Sequence, residues 1–369
     1  MSDDFAALFE APVDATPDLD ELVVATMTWH FSPSTGSPFW VGRAATLGFD
    51  PLSDVKTYDD LSRLFADVTT DWSTIPAHTL VPRGCTGRPG RFGVYESGGT
   101  TGAPKRIVDA TSRRRNIEYQ SMFLDEQGFP TGGQQAGWLH IGPTGPHIMA
   151  KNIGNLSELR GFLAYFVDLD PRWVKRCIAS GREDESKRYI DHILDQVKDV
   201  LLSQDIRAIS TTPRILENVV ARPDVYEPLR EKVRGIIWGG TSIDPETLNL
   251  LENEAFPEAR LAGAYGNTMM GMAPQRTRRE GDPSPCVFRP FYPYTLVDVV
   301  DPVDLTTRVP VDTRGVVKIT ALTRELFMPP TVERDMVTLR ASVDGDLGAE
   351  VSDVRPNETS KETIIEGVY

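Results

Sequence analysis

Residues 95–106 read Tyr-Glu-Ser-Gly-Gly-Thr-Thr-Gly-Ala-Pro-Lys-Arg. Gly98, Gly99 and Gly102, interleaved with the hydroxyls of Ser97, Thr100 and Thr101, make a loop with many unhindered backbone N–H groups. Such a loop can wrap phosphate oxygens, and Lys105 adds a positive charge at its end. The same residues would also serve an ordinary polar turn. A Walker A loop needs G-x-x-x-x-G-K-[ST]. Counted from Gly98 or Gly99, the second glycine would fall on Ala103 or Pro104, so neither register fits. A G-x-G-x-x-G pattern does not fit either.

Outward from the loop, residues 91–95 predict a short strand that enters it, and residues 110–127 a helix that follows it. Upstream, residues 1–90 mix short helical patterns, such as 58–65, with loops. Downstream, Ile190, Ile193, Leu194, Val197 and Leu201 fall on one helical stripe. Residues 206–210, 233–238 and 260–264 read as strands. Between them, residues 213–220 suit a helix with Pro213 in its first turn. Asp244 and Pro245 open another helix as N-cap and N1, with Leu248, Leu251 and Ala255 on one face. Strands alternating with helices predict an α/β fold with a parallel sheet. Beyond residue 285 the pattern changes: residues 294–300 and 315–321 are β-rich and predict antiparallel strands, or a small barrel. The expected division is an α/β core with an N-terminal extension over 1–285, an antiparallel β subdomain of the same large domain over 286–345, and an acidic tail over 346–369. From residue 343 the chain reads either as a closing element or as a loose tail.

Composition is that of a globular protein, with 40% hydrophobic and 25% charged residues. A net charge of −14 argues against a nucleic-acid or anionic-membrane surface. The one basic run, Arg113-Arg114-Arg115, reads as a solvated helix face. Cys85, Cys177 and Cys286 are widely spaced and odd in number, which favours a reducing compartment without a disulfide framework. No signal-peptide pattern opens the chain, and no apolar run approaches the roughly 18 residues of a spanning helix. A cytoplasmic protein is expected, with a homodimer left open.

Two further glycine-bearing loops follow predicted strands: Trp238-Gly239-Gly240-Thr241-Ser242 and Tyr265-Gly266-Asn267-Thr268-Met269. Each alone suits a plain strand-to-helix connection. Ends of parallel strands are also where open α/β sheets bind ligands. Farther on, Gly315-Val-Val-Lys-Ile-Thr-Ala is followed by Glu333-Arg334-Asp335-Met336-Val337.

Ser97 to Lys105 resembles the phosphate loop of the adenylate-forming superfamily, written [ST]-[SG]-G-[ST]-T-G-x-P-K. The order of the later loops is similar to that superfamily, and the segments around Gly315 and Asp335 resemble its phenylacetate–CoA ligase branch. The resemblance covers roughly residues 90–340. It implies the acyl-adenylate-forming N-terminal fold, ATP as co-substrate, and adenylation of an aromatic carboxylate. It places Ser97, Gly98, Gly99, Thr100, Thr101, Gly102 and Lys105 on the β- and γ-phosphates. Thr268 falls on the α-phosphate, and Gly239, Gly240, Thr241, Tyr265 and Gly266 fall around the adenine. Asp335 would grip the ribose hydroxyls, as a carboxylate accepting two O–H donors can. His147, Thr211 and Thr212 fall at the acyl pocket, with Trp138, His140 and Phe166 as an aromatic wall or as core.

Three positions depart from the pattern: Glu96 and Ala103 at the loop, and Met269 where the superfamily has a glutamate that helps hold Mg2+. A thioether is a poor ligand for so hard a cation. Magnesium would then be held by the nucleotide phosphates or another acid. Little chain follows Asp335, and Lys361 lies in the acidic tail. The resemblance therefore implies the large N-terminal domain without the C-terminal domain that supplies a lysine and presents a thiol. A shortened member of this branch occurs in phenazine antibiotic biosynthesis, and this chain resembles it in length and in the missing domain. That implies a phenazine carboxylate substrate and a partner enzyme that takes the acyl group, for instance a reductase. The alternatives are a nucleotide- or acyl-binding scaffold, and a CoA ligase completed by a separate small domain.

Overall fold

The structure is a computed structural model that describes residues 3–87, 92–97, 103–342 and 348–357. These form two compact units. The first runs to Tyr119 and adds Asn267–Met272 and Arg289–Ser352; the second comprises Gln120–Gly266, Ala273–Phe288 and the segment from Asp353. The division differs from the expected boundary at residue 285, because the N-terminal third packs with the antiparallel strands.

In the first unit, β1 (Gly93–Glu96) and β2 (Arg106–Asp109) form an antiparallel hairpin in which Glu96 faces Arg106. Their side chains pair at 3.0 Å. Cross-strand opposite charges stabilise such a ladder, so Glu96, an oddity in the sequence pattern, closes the hairpin. The helix Leu19–Phe31 starts on Asp18, whose carboxylate accepts from Glu21 N at 2.9 Å. It delivers Phe31 to an aromatic cluster with Trp40, Phe65 and Phe327, where the Trp40–Phe327 and Phe65–Phe327 centroids lie 4.8 and 5.2 Å apart. That cluster explains why the N-terminal residues belong to this unit. Residues 8–11 are stitched down as well. Tyr294 Oη donates to Leu8 O at 2.6 Å, Arg115 donates to Phe9 O and Ala11 O, and Arg324 pairs with Glu10.

The second unit holds β3 (Gly137–Gly142), β4 (Leu163–Asp168), β5 (Ile206–Thr211), β6 (Gly235–Gly239) and β7 (Arg260–Asn267), parallel neighbours in the order β4–β3–β5–β6–β7. β8 (Gly271–Pro274) continues the sheet at its far edge. Helices cover the crossovers; those from residue 190 onward were expected, whereas β3, β4 and the helices Ile148–Leu159 and Pro171–Ala179 were not. In Glu183–Ser203 the residues Ile193, Leu194, Val197 and Leu201 are buried. Such side chains contribute about 1.5–3 kcal/mol each. Thr212 and Asp244 cap the helices Pro213–Val220 and Pro245–Leu250. The helix Pro223–Lys232, with Pro228 inside it, was not anticipated, and it delays the next strand to Gly235.

The antiparallel sheet comprises β9 (Val287–Phe288), β10 (Thr295–Val300), β11 (Arg314–Leu322), β12 (Phe327–Arg340) and β13 (Glu350–Pro356), in the order β10–β11–β12–β13–β9. The order is open, so among the described residues this is a sheet rather than a barrel. β13 gives the C-terminal stretch a closing element up to Pro356. Among the described residues no helix is long and apolar enough to cross a membrane.

Candidate functional site

The hairpin positions the first group of candidate residues. Ser97 N donates to Lys105 O at 2.9 Å, and Lys105 N donates to Ser97 Oγ at 3.0 Å. These two bonds close the base of the glycine loop. Gly98, Gly99, Thr100, Thr101 and Gly102 lie outside the described residues. Lys105 Nζ donates to Thr69 Oγ1 at 2.6 Å. Thr69 N in turn donates to Asp67 at 2.7 Å, and Thr331 Oγ1 of β12 lies 3.3 Å from the same carboxylate oxygen.

β12 also carries Glu333 and Asp335, in the stretch between Val332 and Met336 where its pairing with β11 is irregular. Both acids are half-buried. Burial pushes the Glu333 carboxyl up to about 7; the Lys105 ammonium opposes that rise, while Asp335 and Asp67 add to it. Lys105, Asp67, Glu333 and Asp335 therefore form one electrostatic neighbourhood. Sequence reading missed Glu333 as a site residue. The available clue was its i, i+2 spacing from Asp335.

Thr268 belongs to the same unit. Its Oγ1 donates to Glu96 O, the last carbonyl of β1, at 3.1 Å. Asn267 Oδ1 accepts from both Met269 N and Met270 N at 2.9 Å, which fixes the turn after Thr268. Arg113 donates to Thr268 O and, at 3.0 Å, to Met269 O. Asn116 grips Met272 twice, accepting from its N and donating to its O, both at 2.8 Å. Gly271 has φ +90°, and a Cβ there would lie 2.4 Å from Arg113 Nη1. Only glycine combines that backbone with that crowding.

The basic run is thus no solvated face. Arg113 is buried and Arg115 stacks 4.3 Å from the Tyr294 ring centroid; Arg114 alone is exposed. The N-terminus of the helix Ser112–Glu126 is already filled by an anion. The buried Glu325 carboxylate accepts from Thr111 N at 3.0 Å and Ser112 N at 2.6 Å.

Met269 is buried and lines a cavity of about 40 Å³ with Met270, Phe291, Tyr294, Asp109 and Arg113. Its thioether sits in a mixed apolar and charged lining and itself offers no hard oxygen to a cation. No group of three His, Cys, Asp or Glu among the described residues is arranged to hold a metal ion. Mg2+ is usually held by one or two carboxylates together with substrate phosphates, and Met269 supplies no such carboxylate.

The second unit carries the other candidates. A Cβ on Gly239 would fall 2.6 Å from Ala264 O, so β6 and β7 approach here only because the side chain is absent. Gly240 has φ +81° and turns the chain toward Thr241. Tyr265, followed by Gly266 near the end of β7, is buried against Phe288 at 6.0 Å, and Phe288 also contacts Trp238 at 6.3 Å.

Thr211 is buried and donates to Ile141 O at 2.9 Å, tying β5 to β3. The Thr212 hydroxyl caps its helix through Ile215 N at 3.3 Å. Both hydroxyls therefore have structural work. His147 is half-buried at the start of the helix Ile148–Leu159 and makes no capping bond there. Trp138 and His140 are core residues that share the Ser210 hydroxyl, at 3.2 and 2.9 Å. Burial pushes the His140 imidazole down to about 4, so it is neutral at pH 7. Phe166 is 44% exposed.

A parallel sheet with helical crossovers, joined in sequence to an antiparallel sheet and a glycine-loop hairpin, is the fold of the N-terminal domain of acyl-adenylate-forming enzymes. Among solved structures the chain is similar to 2-hydroxyisobutyryl-CoA ligase in the postadenylation state in complex with R3-HIB-AMP. The TM-score is 0.60 at 15% identity, over 92% of this chain and 65% of that one. An open conformation of the same ligase with 2-HIB-AMP and CoA gives 0.59 at 15% identity, over 92% and 71%. Its thioesterification state gives 0.58 at 14% identity, over 95% and 67%. The chain thus spans about two thirds of that ligase's length, and likeness at this identity establishes the fold. No protein-family model and no curated protein matches the chain.

Proposed function

We propose that this chain activates a carboxylic acid as its acyl-AMP. A carboxylate oxygen would attack the α-phosphorus of ATP, and the α–β anhydride bond would break to release pyrophosphate. Such a step needs positioning and charge neutralisation more than covalent help from the protein. In this reading the glycine loop and Lys105 take the β- and γ-phosphates, Thr268 the α-phosphate and Asp335 the ribose. The observation that carries it is the geometry of one unit. Thr268 is bonded to the strand that enters the glycine loop, and Lys105 at the loop's exit shares an electrostatic neighbourhood with Asp335.

The substrate class is an aromatic carboxylate, with phenazine carboxylates the first to try, and the acyl group would pass to a partner enzyme. The test is exchange of labelled pyrophosphate into ATP that depends on added acid, over a panel of aromatic acids. The expected result is exchange with at least one acid and a loss of 10-fold or more in Lys105→Ala. No exchange over the whole panel removes the reading.

The buried thioether of Met269 favours a second reading, a nucleotide-binding scaffold without turnover. Calorimetry separates the two: AMP or ATP binding with no exchange for any acid supports the scaffold.

A further inference from the structure

We propose that Arg113 is a positioning residue that acts through Thr268, an inference that rests on the adenylation reading. The guanidinium is buried and its fork ends on two consecutive carbonyls, Thr268 O and Met269 O. An arginine suits this task because its planar donors fix two acceptors at once, whereas a lysine offers a point charge. Asp109 and Glu325 face the guanidinium and balance its charge. Asn116, one helical turn on, holds the N–H and C=O of Met272, so the helix grips the segment at both ends. Gly271 leaves the space that Arg113 occupies.

With its carbonyl held from one side, Thr268 presents its hydroxyl to Glu96 O on the other. The single proton of that hydroxyl is held by the Glu96 carbonyl, so donating to a phosphate oxygen, which only accepts, requires the hydroxyl to turn away from Glu96 O. The direction of a group that meets a phosphate is thus set by a residue that does not meet it.

The test uses Arg113→Lys, which keeps the buried charge and so the fold, together with Thr268→Val and the double variant. The probes are AMP and adenosine, read by calorimetry, and backbone hydrogen exchange over residues 267–272 in the intact chain. The expected result is about 10-fold weaker AMP binding in Arg113→Lys with adenosine binding unchanged. The double variant should bind AMP no more weakly than Thr268→Val alone, because residues that act as a unit are not additive. Exchange over 267–272 should quicken in Arg113→Lys. Additive losses, or equal losses for AMP and adenosine, overturn the inference. So does unchanged hydrogen exchange, whatever the nucleotide data show. If the unmodified chain binds neither AMP nor adenosine, the adenylation reading fails and takes the nucleotide role of Arg113 with it. The hydrogen-exchange result then stands apart as a measure of the clamp alone.

Discussion

Glu333 has an unusual carboxyl for so short a side chain on a strand. Its titration near 7 arises first from burial, with the Lys105 ammonium working against that shift. A folded-state value above the ordinary 4.5 means that the folded chain holds a proton the unfolded chain has released. Stability from this group is therefore full below about 4.5 and is lost as pH rises through about 7. Glu333→Gln should match the unmodified chain in Tm near pH 4 and melt higher at pH 8. Melting curves across that range check it, and an equal Tm difference at both ends would contradict the assignment. Lys105 and Asp335 were legible in the sequence because they sit in a motif. Glu333 was not, since its character comes first from burial by the folded chain, which no local window shows.

At the scale of elements, the helix Ser112–Glu126 shows what a one-dimensional pattern can and cannot reveal. Its extent was plain from its sequence, and so were the helix 213–220 and the strands on either side of it. Its cap was not, because Glu325 arrives from the turn between β11 and β12. Glu325→Gln keeps the shape and removes the negative charge from the helix N-terminus. Two backbone donors lose an ionised acceptor, and the buried Arg113 loses one of its balancing charges. The expected cost is about 1–3 kcal/mol, read as a lower urea midpoint. A change within 0.5 kcal/mol would show that the carboxylate is not the cap. Two of the three arginines that begin this helix, Arg113 and Arg115, were misread for the same reason. Their partners are carbonyls of residues 9, 11, 268 and 269, which no local window contains.

Across the whole molecule, periodicity conveyed the alternation of strands and helices from residue 190 onward, though not β3 and β4, and the shift to antiparallel pairing after residue 285. It did not convey how the N-terminal third is recruited. That follows from aromatic side chains at irregular spacing, Phe31, Trp40 and Phe65, meeting Phe327. Phe327→Ala should cost about 3–5 kcal/mol. Because the cluster ties the N-terminal residues to β12, the loss should appear as faster proteolysis within residues 1–87, with calorimetric unfolding as the companion measurement. Protection of that region in a variant that melts early would show that the cluster does not recruit it.

The stitches over residues 8–11 have a practical outcome at the bench. A protease that nicks the peptide bond after Asp14 severs the backbone but leaves Tyr294, Arg115 and Arg324 still holding Leu8, Phe9, Ala11 and Glu10. The short fragment should then co-elute with the body of the protein on gel filtration and separate only in denaturant, so that a clipped preparation passes for an intact one until it is weighed in a mass spectrometer.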